Sequence, residues 1–198
     1  MRAMSESFAL TEFGLPDVPS GELDAYLDAA SECFARHGLR RTKVTDIADA
    51  VGVSRVTVYR QVGTTEQAAR LLLSRELDRL LTSLLPRLTS AEKVEDVVRV
   101  IASAVAFAVE HPVMSKVLRD EPELVGGFVI QELDVLLARL ELLAQPVVAR
   151  LQMLGVSSGL DLPTLADWVA RVVVTMVVAP PPEPFEDYLQ RVLVAMLG

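Results

Sequence analysis

Apolar residues recur at three- and four-residue spacing along nearly the whole chain, and alternating apolar and polar runs of strand type are almost missing. That period predicts helices throughout. A first helix is expected from Ser20 or Gly21 to His37. Leu23, Leu27, Ala30 and Phe34 form its inward stripe, with Tyr26 a further candidate, and Gly38 stops it. Val44, Ile47, Ala48 and Val51 mark a second, short helix, and Arg55 to Gln61 a third. Thr64 is placed to cap a long fourth helix to Leu85, carrying Leu71, Leu72, Leu77, Leu80, Leu81 and Leu84 and ended by Pro86. Further helices are expected at Ala91 to Glu110, Pro112 to Leu118, a broken piece from Glu123, Val129 to Leu154, Leu162 to Val178 and Phe185 to Leu197. Gly126, Gly127 and Pro146 are expected breaks or kinks, Gly155 to Gly159 a turn, and Ala179 to Pro184 a stiff extended connector. Residues 1–19 hold no period and contain Pro16 and Pro19, which predicts a mobile arm. The fold class is therefore all-α, about nine helices, with a three-helix N-terminal head on a larger C-terminal helical bundle.

The stretch from Val44 to Val62 has the chemistry of a helix-turn-helix. Such a unit needs a small residue where its helices cross, a glycine in the turn, and an aliphatic residue locking the second helix to the first. Ala48, Gly52 and Val58 hold those places, and Ser54 is placed to cap the second helix. With Val58 as the inward anchor, Arg55, Val56, Thr57 and Arg60 are left outward as candidates for base edges. A helical hairpin used only for packing would carry Glu and Lys there. Thr42, Lys43, Thr45, Ser54, Tyr59 and Gln61 are the candidates for the phosphate backbone, Thr42 also as a cap whose helix start offers N–H groups to a phosphate.

At these residues the sequence resembles the TetR family of transcriptional repressors. The likeness begins at Leu27-Asp28-Ala29-Ala30 and Cys33-Phe34-Ala35-Arg36-His37-Gly38, runs through Thr42 and Asp46-Ile47-Ala48, and ends near Gly63-Thr64-Thr65-Glu66. It covers about a quarter of the chain. The resemblance implies a DNA-binding regulator of palindromic operators, residues 20–65 being the DNA-binding domain and 66–198 the ligand-binding and dimerisation domain. It also implies a homodimer through the last two helices. Lys43 stands where such proteins commonly have a second Thr, Thr65 where they usually have Lys, and Gln61-Val62 where they have an aromatic pair. These departures suggest fewer backbone contacts.

Charge changes the picture once it is divided. The chain as a whole carries −8, but residues 36–62 hold six Lys/Arg against two acids, a balance of +4, which leaves the remainder at −12. Positive charge sits where phosphate would lie, on a body that repels nonspecific contact. A single cysteine, Cys33, excludes an intramolecular disulfide and reads as a buried thiol in a reducing, cytoplasmic setting. No apolar run reaches membrane-span length, and the acidic first residues do not resemble a signal peptide.

For the body, Ala166, Ala170, Val173 and Val177 on one helix, and Leu189, Val192, Leu193 and Met196 on the last, form narrow seams suited to a helix partner, in their own core or across a two-fold axis. Phe107, Met114, Phe128, Met153, Trp168 and Met176 are candidates for an apolar pocket with Arg99, His111 and Arg171 as polar handles, or are ordinary core. Such a pocket would suit a hydrophobic small-molecule inducer. Two distant histidines, one core cysteine, no metal-ligand spacing and no glycine-rich phosphate loop leave no catalytic residues, metal site or cofactor to assign. The alternative is a helical ligand- or partner-binding protein whose head no longer reads DNA.

Overall fold

Helical spacing in the sequence becomes helix across most of the described chain. The computed structural model describes residues 18–124, 137, 141, 144–155 and 161–197. A 3₁₀ turn, Gly21–Leu23, leads into α1 (Asp24–His37), followed by α2 (Val44–Val51), α3 (Arg55–Val62), α4 (Thr65–Thr89), α5 (Val94–Glu110) and α6 (Pro112–Asp120). Residues 144–153 form α7, and α8 (Leu162–Val178) and α9 (Phe185–Leu197) complete the order. There is no strand among the described residues, so the all-α expectation holds. The expected arm lies almost wholly outside the described residues, as do Gly126, Gly127 and most of the turn after Gly155. Pro146 lies within α7.

The chain divides into two compact units, one ending at Asp78 and the other beginning at Arg79. In the first, α1, α2 and α3 pack pairwise. Leu27, Ala30 and Phe34 of α1, Ile47 and Ala48 of α2, Val58 and Val62 of α3, and Ala68 and Leu72 of α4 supply the buried residues. Phe34, Leu27, Ile47 and Val58 are sealed from solvent. Each such side chain adds roughly 1.5–3 kcal/mol relative to exposure.

Thr42, Ser74 and Arg75 are buried with them, and Arg75 carries a charge. Arg75 is 5% exposed, and its guanidinium reaches Asp24 Oδ1 at 3.1 Å, Asp28 Oδ1 at 2.8 Å and Glu76 Oε1 at 3.1 Å. Asp24 and Asp28 are one turn apart on α1, so a single α4 side chain bridges both. Burial works against the charge, yet the hydrogen bonds to Asp24 and Asp28 carry the Arg75 pKa above the usual guanidinium value. An arginine inside the leucine series of α4 was its only trace in the sequence.

The helix α4 does not stop at Pro86. It runs on to Thr89 although the proline has no N–H to give. The final turn is held from its other end: Thr89 Oγ1 and Ser90 N donate to the Pro86 carbonyl at 2.9 and 3.1 Å, and Leu88 is buried in the core of the second unit. Residues expected at the start of α5 instead form its entry. Asp96 Oδ2 accepts from the N–H groups of Glu92 and Lys93, both at 3.0 Å, so the helix begins at Val94 rather than Ala91. The Ala91 carbonyl accepts from the Arg150 guanidinium, with Nε at 2.8 Å.

In the second unit α5 packs against α6, α8 and α9. Its Val97, Val98, Val100 and Ile101 form a core with Leu88, Ala91, Leu151 and Leu189. A smaller cluster joins Ala144 and Val148 of α7 to Ala166 and Val169 of α8, with Trp168 against it. Asp161 caps α8 through its Oδ1, which accepts from Thr164 N at 2.8 Å.

Removing either Asp24 or Asp28 leaves Arg75 a carboxylate on α1, whereas removing both leaves the buried cation only Glu76, its neighbour on α4. Asp24→Asn with Asp28→Asn together should cost about 2 kcal/mol, more than the sum of the two single changes, as measured by urea midpoint. Bonds from the backbone of Glu92 and Lys93, with help from Arg99, hold the Asp96 carboxyl below its ordinary value. Its contribution is present above the unfolded pKa of about 3.9 and fades as pH falls through the lower folded value. The stability gap between wild type and Asp96→Asn should therefore narrow in denaturation curves taken at successively lower pH below about 4.

Candidate nucleic-acid interface

The interface is built from the turn after α1 onward. Gly38 ends that helix at φ 88, its N–H donating to Phe34 O at 2.8 Å. Thr42 closes the turn that follows, with its hydroxyl donating to Gly38 O at 2.7 Å and its N–H to the same oxygen at 3.3 Å. Its side chain is 4% exposed. The N-cap of α2 is not Thr42 but Lys43, whose N–H donates to Asp46 Oδ2 in the first turn at 2.7 Å. Thr42 thus leaves the expected phosphate rim and becomes an internal brace, while Lys43 and Thr45 remain exposed.

Between α2 and α3 the Ala48 carbonyl accepts from Gly52 N at 2.9 Å and Val53 N at 3.0 Å. This requires Gly52 in the left-handed region, φ 79 and ψ 33, where a side chain would be strained. Ser54 then starts α3. Its Oγ accepts from Thr57 N at 3.1 Å and shares a hydrogen bond with Thr57 Oγ1 at 2.9 Å.

These bonds fix which way α3 faces. Val58 is 0% exposed and Val62, one turn on, is also buried, so Val62 belongs to the core rather than to the rim. Arg55, Val56, Tyr59, Arg60 and Gln61 are exposed, and Thr57 is half-buried. Among the described residues no carboxylate pairs with Arg55, Arg60 or Lys43. At the far end, Thr64 and Gln67 exchange bonds: Thr64 N donates to Gln67 Oε1 at 2.8 Å, and Gln67 N to Thr64 Oγ1 at 3.2 Å. This reciprocal box starts α4 as expected. Cys33 is buried, and burial, followed by nearby Asp46, pushes its thiol above the ordinary value, which suits an inert core residue.

The product is a short helix with a cationic, hydrogen-bonding outer face, standing on a small apolar base. A major groove admits an α-helix, and arginines of this reach read guanine edges or phosphates. Arg36, Arg40 and Arg41 are exposed on the last turn of α1 and the turn after it. They entered the charge balance but not the expected contact residues, although that same balance pointed to them.

Residues 27–72 match the family model of bacterial regulatory proteins, tetR family. The match covers the helix-turn-helix head and the start of α4. An uncharacterized HTH-type transcriptional regulator of Mycobacterium tuberculosis is 26% identical to it over 160 residues, covering 79% of this chain and 75% of that protein. Among solved structures, a TetR-family transcriptional regulator from Pectobacterium atrosepticum shares the fold with TM-score 0.70 at 18% identity, covering 99% of this chain and 98% of the other. The regulator FadR from Bacillus subtilis, solved in complex with stearoyl-CoA, gives TM-score 0.58 at 17% identity over 88% and 97% of the two chains. The protein is accordingly a DNA-binding transcriptional regulator with a helix-turn-helix head.

In the body the expected pocket residues have unlike surroundings. Met153 is 69% exposed. Arg99 and Arg171 are exposed and engaged within their own helices, Arg99 with Asp96 and Arg171 with Asp167 at 2.8 Å. Phe107 and His111 lie together at the α5–α6 junction, ring centroids 6.3 Å apart. Met114, Trp168 and Met176 are half-buried, and Phe128 lies outside the described residues. Of the small-residue seams, Ala166 and Ala170 are sealed, Val173 packs on the α5 core and Leu189 belongs to it, while the side chains of Leu193 and Met196 lie outside the described residues.

Replacing Ser54 by Ala removes the acceptor for Thr57 N at the first turn of α3. The change should lower stability by about 1 kcal/mol in thermal or urea unfolding.

Proposed function

We propose that this protein is a TetR-family regulator that binds a palindromic DNA operator as a homodimer, acts as a repressor, and leaves the operator when a hydrophobic small molecule occupies its body. The observation that carries DNA readout is the outward face of α3, with Arg55 and Arg60 exposed and unmatched by carboxylates among the described residues, over the buried anchors Val58 and Val62. Arg55, Val56, Thr57 and Arg60 take the base edges. Lys43, Thr45, Ser54, Tyr59 and Gln61 take the backbone.

Two-fold pairing follows from reach. One short helix covers only a few base pairs, and two related by a dyad read a palindrome whose spacing the protein sets. With the sealed alanines spent internally, the surface of α8 suited to a partner copy is the half-buried stripe Trp168, Val172 and Met176, at successive four-residue steps. Support for a hydrophobic inducer comes from the likeness to a FadR solved with stearoyl-CoA. Such a ligand shifts the protein from the operator by no more than its differential affinity for the two states.

Selection of bound duplexes from a random pool at moderate salt tests the proposal, the expected product being a palindrome. Recovery of nothing above background from folded protein would favour the alternative of a ligand- or partner-binding protein. On the recovered site, Arg55→Ala or Arg60→Ala should cost about 1–3 kcal/mol and relax preference at one base pair per half-site if the arginine reads a base. If it holds phosphate, all sequences should weaken alike and the salt dependence should become shallower.

A further inference from the structure

We propose that Val56 reads the 5-methyl group of a thymine in the operator half-site. The inference rests on the DNA-reading role of α3 and names the base that one of its positions selects. Val56 is 69% exposed, and Tyr59, one turn on, is 53% exposed. Single exposed apolar residues are ordinary on a protein surface. Position sets this one apart. It is the second residue of α3, in the N-terminal turn that a recognition helix brings to base edges.

The surrounding chemistry narrows the occupant. Val56, Tyr59 and Arg60 share a helix face at i, i+3 and i+4, and Arg55 flanks them, so the apolar spot is bordered by cations. A partner for it must be anionic around a small apolar feature. Duplex DNA offers that combination in its major groove, where the thymine methyl is the apolar group on a base edge. Valine also has no local reason to stand there. Its β-branch lowers helix propensity, and its side chain is not used to fill the core. Thr57, the neighbouring residue with a methyl group, is half-buried and shares its hydroxyl bond with Ser54, which leaves Val56 as the extended apolar contact.

The test uses the full-length protein and a duplex selected by it. Each thymine of one half-site is replaced in turn by deoxyuridine, which keeps the base pair and removes only the methyl, and affinity is read by fluorescence anisotropy. One position should weaken binding about four-fold, and the same change in both half-sites about fifteen-fold, the size expected for one buried methyl each. In Val56→Ser, with folding checked by circular dichroism, thymine and uracil at that position should bind alike. A selected operator at which no thymine-to-uracil change matters overturns the inference alone, as does a methyl effect that persists undiminished in Val56→Ser. A protein that selects no duplex overturns the DNA-reading role and this inference with it.

Discussion

The head depends on the burial of Val58 and Val62. The helix that bears the exposed arginines is eight residues long, and a helix of that length is not stable by itself in water, because nucleation costs more than so few backbone bonds return. Two valines one turn apart supply what the backbone cannot, by docking α3 on α1 and α2. Everything at the outer surface inherits its direction from that contact. The Ala48 crossing, the left-handed Gly52 and the Ser54 cap each remove one way in which α3 could dock at another angle.

The head was legible in the sequence because its determinants are local. Caps, a left-handed glycine and a three- to four-residue apolar period act within a turn or two, so Val44–Val51 and the start of α3 could be read directly. What escaped was decided by distant partners. Arg75 could not be recognised as a bridge until α1 and α4 were side by side with Asp24 and Asp28 facing it. Thr42 offered a hydroxyl equally suited to a cap, a phosphate or a neighbouring carbonyl, and the fold of the Gly38 turn chose the carbonyl. Pro86 stood for a helix end in the sequence, but the burial of Leu88 and the bonds onto the Pro86 carbonyl outweigh one missing donor.

The body was less legible for a related reason. Small residues at helical spacing, such as Ala166 and Ala170, allow close approach without saying which helix approaches, and here α7 takes that place for Ala166. Long side chains are no better guides. Met153 and Trp168 are both large and apolar, yet one is exposed and the other lies against a core. Arg99 and Arg171 find acids three and four residues away on their own helices, an option always open to an exposed arginine. A ligand pocket is a property of several helices at once, whereas a cap or a turn belongs to one.

The division of labour along α3 has an evolutionary consequence. Ser54, Val58 and Val62 carry the stability of the helix, while Arg55, Val56, Tyr59 and Arg60 contribute little to it because they face solvent. Surface changes away from caps and core usually move stability by no more than about 0.5 kcal/mol. Mutation at those four positions can therefore alter what the helix prefers to touch while the fold persists, so relatives can diverge in the sites they recognise without passing through unfolded intermediates.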